Sequence, residues 1–112
     1  MVWAATPSAT LTWTAPTAYT DGTALPAADI DHYTIGWART ATDALMGQQA
    51  ATGLTASIPI ACGSVVFWVS ASTGAAAKYP NQTSLPAGPV TYNSGIACVA
   101  TKPNPPGGLT VH

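Results

Sequence analysis

Proline and glycine, ten of each among 112 residues, recur every few positions along this chain, and that spacing leaves no room for long helices. The apolar segments between them are dominated by β-branched and aromatic residues, the composition of strands. The chain reads as all-β. Its length suits one domain with a real core and is too short for two.

Alternation places the strands. Thr10 to Thr14, TLTWT, sets Leu11 and Trp13 on one face and threonines on the other. A Pro-flanked connection follows, with Asp21-Gly22 as its turn signal. Ile30 to Ala38 alternates again, with Tyr33, Ile35 and Trp37 on the buried side. The stretch 40 to 53 is ambiguous between a short helical turn and an edge strand or loop, and the latter is preferred. Ala56 to Ile60 is a short strand that Pro59 consigns to an edge. Then comes CGSVVFWVSAS, a long loop from about Gly74 to Pro89, and a last strand within Val90 to Ala100. Six or seven short strands, with turn signals every ten or so residues, are the pattern of an antiparallel β-sandwich.

Within CGSVVFWVSAS, an inward Val65, Phe67, Val69 and Ala71 require an outward Trp68, between Val66 and Ser70. Two readings stand open: the indole is covered by the protein's own long loop or termini, or it anchors an interface, where tryptophan is enriched. Trp3 in the N-terminal stretch and Tyr79 near the tip of the long loop are the further contact candidates.

Only 6% of residues are charged, glutamate is absent and the net charge is -1. Nucleic acid is not expected as a partner, because no basic surface exists to displace phosphate counterions. No apolar run approaches the roughly 20 residues that cross a bilayer, so no membrane is expected either. The start at Met1 lacks the basic and apolar regions of a signal peptide and reads as an unexported or trimmed chain. A surface rich in Ala, Thr, Ser and Gly repels neighbours weakly, which suits a protein packed among others.

Catalysis needs convergent titratable groups, and Asp29, Asp31 and His32 form the only cluster here. On a strand the two carboxylates would share a face and His32 would oppose them, so convergence is not expected. No serine stands in a G-x-S-x-G arrangement and no glycine loop is built to cradle phosphate. The expectation is therefore no enzyme, no cofactor and no metal site. Asn81 opens an NQT sequon, meaningful only on a eukaryotic secretory route.

The chain resembles the fibronectin type III domain over roughly residues 8 to 100. That family's second strand carries a core tryptophan followed by proline, matched by Trp13 and Pro16. Its third has a tyrosine and then apolar residues at every second position, matched by Tyr33, Ile35 and Trp37. Its sixth alternates aromatic or apolar, valine and alanine, matched by Phe67, Val69 and Ala71. The resemblance implies an immunoglobulin-like sandwich of about seven antiparallel strands over residues 1–102, with 103–112 as an extended tail. Two departures stand out. Val65 occupies the place of the family's corner tyrosine, and only twelve residues precede Trp13, so the first strand is short or absent.

Meanwhile PNPPGGLTV, residues 103 to 111, looks like the opening of such a domain placed at the end of the chain. An unpaired edge beside TLTWT would be open to strand addition by a segment containing Leu109 and Val111, from the same subunit or the next. In the alternative, Val2 to Ala5 makes a short first strand and the tail is a linker or lies on a partner.

The fold implied by the resemblance makes the sixth and last strands antiparallel neighbours, so Cys62 and Cys98 could meet in a disulfide; two buried free thiols are the alternative. Compact modules with threonine- and alanine-rich surfaces also resemble accessory proteins of bacteriophage virions. This implies a capsid decoration protein, assembled in the host cytoplasm and resident on the virion. Its expected partners are a major capsid or other virion protein and copies of itself, and its exposed loops are candidates for glycan contact. The alternative is a module of a phage tail protein or of a secreted bacterial glycan-degrading enzyme or adhesin.

Overall fold

The computed structural model describes residues 7–98, 106–108 and 110–111. These form β1 (Ser8–Thr12), a 3-10 turn (Ala27–Asp29), β2 (Ile30–Ala38), β3 (Gly47–Ala51), β4 (Thr55–Pro59), β5 (Ser64–Thr73) and β6 (Ala87–Asn93). Every pairing is antiparallel. One sheet is the pair β1-β4, and the other runs β3-β2-β5-β6.

The inner faces of the two sheets meet in one core, the arrangement of a β-sandwich. Ala9 and Leu11 of β1, with Ile58 and Ile60 at β4, face Ile35, Val65 and Phe67 of the larger sheet. Across the central β2-β5 pair, Ile35 is registered with Val69 and Trp37 with Phe67. Phe67, Ile35, Ile58 and Val65 are the largest fully buried side chains, and burial stabilises each by about 1.5–3 kcal/mol relative to exposure. Trp13 and Tyr33 close one side of this core with ring centroids 5.4 Å apart.

The ambiguous stretch resolves as the edge strand β3. There Gly47 lies opposite Trp37, and a Cβ at Gly47 would come within 2.5 Å of the indole, so the glycine lets the large ring lie across the edge. The last strand begins at Ala87, three residues before the expected Val90. Gly88 and Pro89 form a bulge opposite Trp68, because Phe67 pairs with Val90 while Val69 pairs with Ala87. Proline has no N–H for a ladder bond, so a proline inside a sequence run conceals a bulged edge strand.

A second bulge corrects the expectation for the polar cluster. Ile30 pairs with Thr73 but His32 with Ser72, which leaves Asp31 as the extra residue. Strict alternation fails there, and His32 Nδ1 meets Asp31 Oδ2 at 2.8 Å instead of opposing it. Asp29 belongs to the 3-10 turn rather than to the strand.

Candidate interaction surfaces

Trp68 does face away from the core, but it does not stand bare. Both it and Val66 are half-buried. Gly88 approaches so closely that a Cβ there would sit 3.3 Å from the indole Cδ1 and 2.6 Å from the Phe67 carbonyl oxygen, and its φ of +119° is one that side chains disfavour, so the position suits glycine. On the other side Trp68 is registered with Gly36, whose missing side chain is replaced by Leu45 reaching over from the β2-β3 connection. Leu45 is 46% exposed and its neighbour Met46 50%. On this face Leu45, a residue that strand periodicity could not place, thus lies over Gly36, the residue registered with Trp68.

At the opposite end of β5 the two longest loops fold onto each other. Tyr79 meets Tyr19 edge-on, with centroids 4.7 Å apart, and its hydroxyl donates to Asp21. Tyr19 donates its own hydroxyl to Asp29 at 2.9 Å. Asp21 also accepts from the Thr23 hydroxyl at 2.6 Å and the Thr23 N–H at 2.9 Å, forming the turn signalled by Asp21-Gly22. These bonds to the charged form, the Thr23 hydroxyl first, hold the Asp21 carboxyl down at about 2. The same carboxylate raises the Tyr79 phenol, while desolvation leads in raising that of Tyr19. The loops enclose a cleft of about 650 Å³ lined by the two tyrosines, Leu25, Ile30, Gln82 and Thr83 among others. Tyr79 is therefore first of all a clasp between loops, and its hydroxyl is committed within the chain.

The third surface is the side of β1 that no described strand pairs. A slot of about 270 Å³ lies between Ala9, Leu11 and their neighbours on β1 and Val90, Thr91 and Tyr92 on β6, with Phe67 at its floor. Val90 is 58% exposed there. Val111 is 94% exposed, and Pro106–Gly108 are likewise exposed and outside any strand. Trp3, Leu109 and the segment Val2 to Ala5 lie outside the described residues.

Cys62 and Cys98 are joined in a disulfide across 36 positions. Sequence reasoning overlooked Arg39, whose guanidinium caps this corner by donating to the Cys62 carbonyl at 2.8 Å and the Ser64 carbonyl at 3.3 Å. Its only sequence signal was a lone cation at the end of an apolar strand.

Among the described residues no three His, Cys, Asp or Glu side chains gather as a metal site, and no helix is long and apolar enough to cross a membrane. No family model matches the chain, and searches of curated proteins and of solved structures likewise find no significant match.

Proposed function

We propose that this chain is a non-enzymatic structural module of a bacteriophage virion, a capsid decoration protein of fibronectin type III-like architecture. In that assignment β1 to β6 take the places of the family's second to seventh strands. The observation that carries the reading is the outer face of the larger sheet, where half-buried Trp68 is registered with Gly36 and the exposed Leu45 lies over that glycine, on a chain with only three Lys or Arg and four Asp or Glu. An apolar, charge-poor face of this kind is completed by another protein more readily than by a small polar substrate. Repetition over many symmetry-related copies then makes weak single contacts sufficient.

The test is particle occupancy. Leu45→Asp changes an exposed position, so it should leave the melting midpoint of the isolated protein within a few degrees while lowering co-sedimentation with particles. Unchanged occupancy would remove the outer face from the interface.

The Cys62–Cys98 disulfide favours a second reading, a module of a secreted bacterial glycan-active enzyme or adhesin, since disulfides persist in oxidising compartments. Detection of the protein within a longer chain in culture medium would select that reading.

A further inference from the structure

The side of β1 away from β4 has the geometry of an acceptor for one more strand. On its paired side, Trp13 donates its N–H to the Leu54 carbonyl at 3.0 Å and Pro7 accepts from the Ile60 N–H at 2.8 Å. Backbone polar groups alternate sides along a strand, so Pro7, Ala9, Leu11 and Trp13 turn theirs toward β4. Ser8, Thr10 and Thr12 turn theirs the other way, and no strand pairs with that edge among the described residues. Below the edge lies the slot of about 270 Å³, larger than the ~150 Å³ cavity that holds a benzene ring. None of the residues lining it is charged.

Such a site selects its occupant closely. The incoming segment must be extended and uncharged, with apolar residues two apart, because partners of the inward Ala9 and Leu11 share their face. Leu109-Thr110-Val111 is uncharged, sets two apolar residues two apart and follows Pro105-Pro106, a sequence that favours an extended approach. Val111 is 94% exposed in the single chain, so the molecule's own slot does not hold it.

We propose that the C-terminal segment of one copy adds as an antiparallel strand to β1 of a second copy, with Leu109 beside Leu11 and Val111 beside Ala9. The contact joins two different surfaces, so it repeats head to tail rather than closing as a symmetric pair. The inference deepens the assembly reading above and rests on it for the role of contacts between copies.

Sedimentation equilibrium of the full chain and two full-length variants tests it. Leu109→Asp with Val111→Asp disables the donor. Thr10→Pro disables the acceptor by removing an N–H that faces the open edge, at no cost to the β4 ladder. The wild-type mass should rise with concentration beyond one chain, while each variant alone stays at the single-chain mass with its circular dichroism unchanged. An equimolar mixture of the variants should form pairs and stop there, since one supplies the edge and the other the tail. A wild-type chain of single mass at every concentration, or association that survives in either variant, would overturn the proposal. A donor variant that melts lower without a change of mass would also overturn it, by placing the tail in its own slot. A wild-type chain that stays at single mass yet still binds particles would overturn this contact while leaving the decoration reading in place.

Discussion

The phenol of Tyr79 donates its hydrogen to the carboxylate of Asp21, a residue 58 positions earlier, and this one bond clasps the two longest loops of the protein. Tyr19 stacks edge-on against the same ring and is itself tied to Asp29. A single loop-loop unit therefore depends on two aspartate carboxylates and two phenols.

Stability should fall at both ends of the pH scale for that reason. The Asp21 carboxyl is lowered in the folded state to about 2, so its contribution is present above the ordinary carboxylate range and is lost as pH falls through about 2. Tyr79 and Tyr19 are raised, so theirs is present below the ordinary phenol value near 10 and is lost as pH rises through the folded values. Thermal melts against pH should show both limbs. Asp21→Asn should flatten the acid limb, and an unaltered limb in that variant would assign acid sensitivity elsewhere.

Removing the disulfide should cost about 3–4 kcal/mol, from the entropy restored to a loop of 36 positions in the unfolded chain. Urea denaturation of Cys62→Ser with Cys98→Ser, against the oxidised protein, measures it. The Arg39 contacts to the Cys62 and Ser64 carbonyls should preserve the local corner in the folded variant.

Gly88→Ala should destabilise by about 1–3 kcal/mol, since a Cβ would collide with the Phe67 carbonyl and φ +119° disfavours any side chain. The Trp68 fluorescence environment should change with it, because the bulge at Gly88 is what half-covers the indole. Equal stability of the variant in urea would show that the bulge relaxes freely.

Trp13 buries its indole Nε1 without an acceptor among the described residues. Replacing such a donor by an apolar ring relieves an unmet desolvation cost of about 1–3 kcal/mol, against which the smaller ring loses some packing on Tyr33. Trp13→Phe should therefore be nearly neutral in urea denaturation. A loss above about 3 kcal/mol would mean that the nitrogen has a partner.

Local alternation made the strands legible, because the period of two in Leu11 and Trp13, in Tyr33, Ile35 and Trp37, and in Val65, Phe67 and Val69 depends only on the pleat of the backbone. The disulfide partners were legible only through the family resemblance, which made their strands neighbours. Neither bulge was visible, since an extra residue at Asp31 or at Gly88-Pro89 is defined by the partner strand rather than by its own neighbours. That is why the meeting of Asp31 with His32 and the start of β6 at Ala87 escaped the sequence.

By itself, then, the order of residues determined an antiparallel all-β chain, its core faces and the outward direction of Trp68. What that indole and Tyr79 touch was decided in three dimensions, by Leu45 reaching across Gly36, by Gly88 closing on the Phe67 carbonyl and by Asp21 meeting a loop 58 residues away. The physical reason is range: side-chain direction follows from adjacent peptide geometry, whereas cover depends on segments that only the packing of the two sheets brings together.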